Sequence, residues 1–244
     1  LGYRTRARFH CKMEKGQLKL GFLKENSSEV VFPSSCPVLH DKLGQLMKEP
    51  PKINLWELKD KQLPCVLADD GVAFDSKVHW VTVGSRQLPL TSQVFFQSNL
   101  SLLPALIDYV GSLVKGPRVM DLYSGVGTFS AFLEDNFDVT AVEIDKKCLE
   151  LSNMHLKRTK FFTSPVEKWN YKTPLDTVIV DPPRVGLDRA VPAMISKWNP
   201  LRIIYVSCAL PTLSRDLISL TKEGYTIESA RLFEFTPGVF HKET

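Results

Sequence analysis

A chain of 244 residues, 43% hydrophobic with a net charge of +4, holds enough apolar material for one large domain or a domain with a smaller appendage. No apolar stretch approaches the roughly 18 residues of a membrane span, and the basic start LGYRTRARFH leads into no apolar core of a secretory signal, so a cytoplasmic protein with no membrane partner is expected. The five cysteines (Cys11, Cys36, Cys65, Cys148, Cys208) are odd in number and form no CxxC pair, which argues against a disulfide framework and a self-contained zinc site.

The first 24 residues carry Arg4, Arg6, Arg8, Lys12, Lys15, Lys19 and Lys24 against Glu14 alone, a surplus of six cations, so the remainder of the chain is slightly acidic. In YRTRARF the arginines recur at period two. On a strand they share one face, with Tyr3, Thr5, Ala7 and Phe9 on the other. Such a row suits RNA phosphates, and it equally suits a solvated strand face. Residues 3–32 predict a hairpin and further strands, with EKGQ as the turn and LKLGF alternating after it. Residues 33–90 read as irregular, with several prolines and only short strand-like runs such as VHWVTV. The expected organisation is a β-rich region over 1–90, a connecting segment with a helix over 91–115, and a larger domain over 116–244. The helix rests on an apolar period near 3.6 from Leu100 to Val114. Beyond it strand and helix signals alternate in the βαβ manner of an α/β, doubly wound sheet. Strands are predicted near 117–123, 138–144, 159–163, 175–181, 201–207 and 225–235, and the clearest helices at 145–157 and 211–222.

Three of these strands empty into loops rich in chemistry, where open α/β sheets bind their ligands. The first is DLYSGVGTFS, in which Gly125 and Gly127 permit a tight turn and let a ligand approach bare backbone before a helix begins. The next strand ends in Glu143, 18 residues after Gly125, where a carboxylate could take two ribose hydroxyls; capping the following helix is the alternative. Ser130 fills the third position of what would be GxGxxG, so a nucleoside cofactor without a pyrophosphate, S-adenosylmethionine, fits better than a dinucleotide. The second loop is VDPPRVG, where two prolines stiffen the chain behind Asp181, a residue suited to holding a base or the cofactor's amino group, or simply to forming a turn. The third ends LRIIYVSC. A thiol there is either a nucleophile or the small buried hydrophobe that free cysteines often are.

The set VFFQSN, DLYSGVGTF, VEID, DPPRVGL, YVSCALPTLSRDL and the final HKE resembles the RNA uridine-5 methyltransferase family, which makes 5-methyluridine in tRNA and ribosomal RNA. The resemblance implies the seven-stranded, Rossmann-like class I methyltransferase fold behind a β-rich RNA-contacting region, here without the OB-fold (TRAM) domain of many members. It implies that Gln97, Tyr123, Gly125, Thr128, Glu143 and Asp181 line the S-adenosylmethionine site, with Cys208 as nucleophile and Glu243 as base. The Arg184 guanidinium could stabilise thiolate or enolate charge, and equally could form a surface ion pair; with Arg4, Arg6 and Arg8 it is expected to contact RNA, and the protein is expected to act as a monomer. The CPVLH stretch after Cys36 resembles the ribosomal-RNA branch more than the transfer-RNA branch.

The chain also departs from the family pattern. Ala209 and Leu210 stand where Asn and Pro usually follow the nucleophile, Ser124 replaces a frequent Cys, and TPGV (residues 236–239) replaces the usual FPxT. A last strand, expected between the fifth and sixth, would lie beyond Thr244. Cys36 matches the final member of an iron–sulfur quartet whose other members would lie upstream, and is expected to be an inert relic or a buried thiol. An RNA amino-group methyltransferase and an inactive RNA-binding relative are the alternative readings; the first would need neither Cys208 nor Glu243.

Overall fold

The computed structural model describes residues 2–238. The chain divides into two compact units, Leu1–Ser101 and Leu102–Thr244.

The first unit is built on strands β1 (Arg6–Glu14) and β2 (Gln17–Leu23), which pair antiparallel through a turn at Lys15 and Gly16. Both turn residues have positive φ (49° and 78°), the pattern whose twist matches a two-residue hairpin, so the turn falls where the EKGQ signal lies. Strand β3 (Val30–Val31) extends one edge, while β4 (Gln62–Ala68) and β5 (Gly71–Ala73) extend the other, in the order β3-β2-β1-β4-β5. Period two sorts β1 as expected, with Ala7 and Phe9 buried and Arg8 exposed, and Cys11 continues the buried row. Phe9 is fully buried, its ring centroid 5.2 Å from that of Phe22, in a core shared with Leu20, Leu43, Leu63 and Cys65.

Leu43 belongs to helix α1 (Asp41–Lys48), and the hairpin of β6 (His79–Val83) and β7 (Arg86–Leu90) follows. The stretch 33–90, expected to be irregular, is thus more ordered than its prolines imply. Helix α1 has only eight residues, too few for its period to stand out, and its cap is unusual: the His40 ring accepts from the Lys42 N–H at 3.3 Å. Arg6 departs from the expected cationic row. Its guanidinium donates to the backbone carbonyls of Ser92 (3.1 Å) and Val94, and burial, with Arg8 alongside, lowers its pKa to about 10. The solvent-facing cations near the start of β1 are therefore Arg4 and Arg8.

The second unit opens with α2 (Leu103–Leu113) and alternates thereafter: β8 (Arg118–Leu122), α3 (Thr128–Leu133), β9 (Asp138–Glu143), α4 (Lys146–His155), β10 (Lys160–Thr163), β11 (Thr177–Val180), α5 (Val191–Trp198), β12 (Arg202–Tyr205) and α6 (Leu210–Lys222). The five strands form a parallel sheet in the order β10-β9-β8-β11-β12. From β8 the chain winds outward through β9 and β10, then crosses back to wind the other way through β11 and β12. This is the doubly wound arrangement, and its switch point lies between β8 and β11. Residues of β8 and β11 are buried on both faces, the reason they read as continuous apolar runs.

The strand predicted at 225–235 does not form; among the described residues the sheet has five strands of the seven expected. Its apolar pattern is real, since Phe233 and Phe235 are buried and Tyr109 of α2 packs on Phe233 at 5.7 Å. A strand also needs a ladder partner, and between this segment and the outer edge of β12 lies a cavity of about 590 Å³.

Replacing Phe9 by Ala removes the largest fully buried side chain of the first unit. It is expected to destabilise that unit by about 3–5 kcal/mol, read as a lowered urea midpoint for its unfolding.

Candidate active site

Parallel pairing places Val142 of β9, Leu122 of β8, Val180 of β11 and Tyr205 of β12 in one transverse row. Backbone bonds carry the alignment past the strands: Ser124 N–H to Val142 carbonyl at 3.2 Å, Asp181 N–H to Leu122 carbonyl at 3.3 Å, and Val206 N–H to Val180 carbonyl at 2.8 Å. Glu143, Tyr123 and Asp181 therefore stand one residue beyond the same row, and Cys208 three residues beyond it. The sequence-predicted residues of the second unit share this edge. Gln97 is half-buried in the segment that follows β7 in the first unit, and Glu243 lies outside the described residues.

The glycine turn is held open by left-handed backbone at Tyr123 (φ 60°), Gly125 (φ 56°) and Gly127 (φ 79°). The two glycines serve different ends. A Cβ on Gly127 would lie 2.7 Å from Leu156 Cδ1, so this glycine lets the turn pack onto the end of α4; one on Gly125 would meet nothing within 4 Å. Gly125 thus faces open space, where a ligand can reach backbone.

Glu143 is tied to that turn. Its Oε2 accepts from the Gly125 N–H at 3.0 Å, and its Oε1 accepts from the N–H groups of Ile144 (2.7 Å) and Asp145 (3.0 Å). A carboxylate offers about four lone-pair sites, so a ribose would have to share them with these amides. The cap of α4 is Asp145, which accepts from Lys147 N–H at 2.9 Å, and this removes the capping role considered for Glu143. Thr128, half-buried, is the first residue of α3. Tyr123 points its hydroxyl at the Asp188 N–H; burial, then nearby carboxylates, push its pKa upward.

Asp181 is half-buried, and the loop after it turns through a Gly186 N–H to Pro183 carbonyl bond of 2.7 Å, with Arg184 exposed. Cys208 is half-buried. Its setting differs from that of Cys11, Cys65 and Cys148, whose thiols lie in packed interior and are pushed by burial to about 11, 12 and 12. Cys36, also half-buried, lies in irregular backbone of the first unit, just before a turn at Pro37 and Val38. Between Cys208 and α6, Ser207 Oγ accepts from the Ala209 N–H at 3.1 Å, shaping the loop where the family's Asn is missing.

Sequence reasoning passed over Asp121. It is fully buried; Oδ2 accepts from Ser130 Oγ at 2.7 Å, Oδ1 has no hydrogen-bond partner, and burial raises its pKa to about 6. The serine that breaks GxGxxG is thus the partner of the acid that opens the motif. An acid inside an apolar strand was the available signal.

A parallel sheet with a glycine turn after its first strand and an acid closing the second is common to doubly wound sheets that bind a nucleoside, and the fold here is that of a class I methyltransferase. The architecture matches that of Pyrococcus abyssi tRNA (uracil-54, C5)-methyltransferase, solved with S-adenosyl-L-homocysteine, at a TM-score of 0.79 and 23% identity, over 99% of this chain and 74% of that one. Residues 165–244 match the family described as tRNA (Uracil-5-)-methyltransferase. An RNA methyltransferase of Treponema denticola, itself uncharacterised, is 31% identical over 98% of this chain and 65% of its own length. A 23S rRNA (uracil(747)-C(5))-methyltransferase of Pyrococcus abyssi is 38% identical over 61% of this chain and 37% of its own. Residues 165–244 belong to the RNA uracil-5 methyltransferase family, and the chain spans about two thirds or less of the length of these curated relatives.

Asp121 supplies a pH test. Its folded pKa lies above the ordinary carboxylate value of 3.8, so its protonated form favours the fold; that contribution is complete at low pH and is lost as pH rises from about 4 to about 6. The difference amounts to about 3 kcal/mol at most. Asp121→Asn, which cannot ionise, should lack this decline, so that its stability relative to the parent rises across that interval in urea titrations at successive pH values.

Proposed function

We propose that this chain transfers a methyl group from S-adenosylmethionine to carbon 5 of a uridine in RNA, through a transient covalent bond between Cys208 and the base. The observation that carries the proposal is the convergence, on one sheet edge at the switch point, of a glycine turn, Glu143, Asp181 and a half-buried Cys208. Ribosomal RNA is the favoured substrate, on the resemblance of the CPVLH stretch and the likeness to the 23S rRNA relative.

The cofactor fits the residues present. Gly125 leaves its backbone open, Thr128 and Glu143 flank it, Tyr123 offers a ring, and Asp181 offers an acceptor from the neighbouring strand end. When bound there, S-adenosylmethionine supplies an electrophilic methyl group on a sulfonium. Carbon 5 of uracil is too poor a nucleophile to take that group unaided. Addition of the Cys208 thiolate to carbon 6 turns the ring into an enolate, whose carbon 5 then attacks. Glu243 afterwards removes the hydrogen from carbon 5, and the returning electrons expel the thiolate, restoring both the aromatic ring and the free cysteine. Arg184, exposed on the loop after Asp181, lies within the same set of strand-end loops and suits the enolate charge or an RNA phosphate. The target base must be unstacked, because a side chain cannot reach carbon 6 within a helix. Arg4 and Arg8 present the solvent-facing charge of the first unit to the RNA backbone.

Cys208→Ala is expected to abolish methyl transfer to RNA while leaving S-adenosylmethionine affinity within about twofold, since the thiol acts on the base and not on the cofactor. RNA containing 5-fluorouridine should become covalently attached to the parent protein and not to this variant; an amino-group methyltransferase would attach to neither. Glu243→Gln should accumulate the adduct with unmodified RNA, visible as a protein band of reduced mobility. Replacing Arg4 and Arg8 together by Ala should lower the slope of log affinity against log salt by about one to two, measured by RNA binding at several ionic strengths.

A further inference from the structure

The loop that follows Asp181 and the helix that follows Cys208 are joined by a polar cluster that the chemistry above does not use. At its centre is Asp216, a carboxylate on α6 that is only 2% exposed. Its Oδ2 accepts from the Leu187 N–H and from the Tyr205 hydroxyl, both at 2.7 Å, and its Oδ1 accepts from Arg215 Nε at 2.8 Å. Arg215 reaches onward, donating from Nη2 to the carbonyls of Val185 (2.9 Å) and Leu187 (3.1 Å). Thr212 Oγ1 lies 3.1 Å from the Arg184 carbonyl and 3.0 Å from the Ala209 carbonyl, one residue past the nucleophile. Gly186 shows how close the contact is: at φ 76°, a Cβ there would sit 2.4 Å from both Arg215 Nη2 and Asp216 Oδ2.

A buried carboxylate is tolerable only when charged or polar donors surround it. Here the donors come from three places: the loop after β11, the last residue of β12 and the helix that begins two residues after Cys208. A single side chain therefore ties the Asp181 loop to α6 and to β12, the strand that leads into Cys208, while Thr212 of the same helix holds the Ala209 carbonyl. Either loop alone could shift on its strand end, because each is surface backbone beyond the ladder. With Asp216 bonded both to Leu187 and to Tyr205, the Asp181 loop is fixed relative to the strand that carries Cys208 unless the carboxylate loses its partners.

We propose that Asp216 is a positioning residue for the methyl-transfer reaction, setting the loop of Pro182–Leu187 against the Cys208 nucleophile so that the base enters between them. The inference rests on the function proposed above. It names a residue that need touch neither cofactor nor RNA; Arg215 completes the clamp, and Tyr205 transmits it to the strand on which the nucleophile is mounted. Misplacement of reacting groups by about 1 Å lowers rates on the order of a hundredfold, so the clamp acts on the chemical step and not on cofactor affinity.

Three quantities, measured on the full chain, test this in Asp216→Asn: trypsin cleavage after the exposed Arg184, S-adenosylmethionine affinity by calorimetry, and the single-turnover rate of covalent capture on a ribosomal-RNA transcript containing 5-fluorouridine. An amide at 216 keeps the shape but turns one acceptor oxygen into a donor facing donors. The expected result is cleavage faster by about tenfold, capture slower by about ten- to a hundredfold, and cofactor affinity within about twofold. Tyr205→Phe, which keeps the carboxylate and removes one donor, guards against a variant that does not fold; it should show the same pattern at about a third of the logarithmic size, with little further loss when combined with Asp216→Asn. Faster cleavage with unchanged capture in both variants would overturn the inference, and so would unchanged cleavage. Loss of cofactor binding in parallel with capture would do the same, by making the cluster merely structural. If the parent protein binds the cofactor yet captures no fluorinated RNA, the function itself is wrong and the inference falls with it, an outcome visible before any variant is made.

Discussion

Parallel hydrogen-bonding register is the constraint from which the rest of the second unit follows. Four strands, β9, β8, β11 and β12, end within one or two residues of a common row because each N–H past one strand finds a carbonyl on its neighbour. Beyond that row the ladder stops, and the backbone must turn into a helix. Glu143, Tyr123, Asp181 and Cys208 stand beyond that row, in the loops where open α/β sheets bind their ligands. Their grouping is a consequence of sheet geometry; the residues themselves lie up to 85 positions apart in the chain.

The loops at this edge are held by specific hydrogen bonds and close packing. The glycine turn is pinned by Glu143 through the Gly125 amide and by the fit of Gly127 on Leu156, with Tyr123 in left-handed backbone that side chains other than glycine seldom adopt. Beneath it Asp121 keeps a carboxylate in the core with Ser130 as its hydrogen-bond partner. The Asp181 loop is pinned by Arg215 and Asp216, and the Cys208 loop by Ser207 and Thr212. Each anchor costs desolvation and is tolerated because neighbouring elements supply its donors. Loops held in this way keep the arrangement that the proposed reaction requires.

The first unit illustrates where reading a one-dimensional pattern succeeds and where it stops. Alternation at the start of the chain correctly separated Thr5, Ala7 and Phe9 from the charged face, since strand geometry sends successive side chains to opposite sides. Periodicity cannot tell a charged residue facing water from one facing another loop. Arg6 shares its face with Arg8, yet its guanidinium is engaged by the carbonyls of Ser92 and Val94, more than eighty residues away. Helix α1 was illegible for a different reason: two turns of helix contain too few apolar positions to establish a period, and the core that holds Leu43 is supplied by strands elsewhere.

By itself the sequence determined the alternation of strands and helices after Leu102, the glycine turn, and the residue types set at each strand's end, because these are local properties of backbone sterics and hydrophobic period. Tertiary structure alone decided the rest. Among the described residues it formed no strand over Tyr225–Phe235 although the composition suits one, since pairing depends on a partner edge that composition does not specify. It also turned Glu143 toward backbone amides and gathered Leu187, Tyr205 and Arg215 around Asp216. Such contacts depend on which distant groups arrive with unmet donors, and that is known only once the chain has closed upon itself.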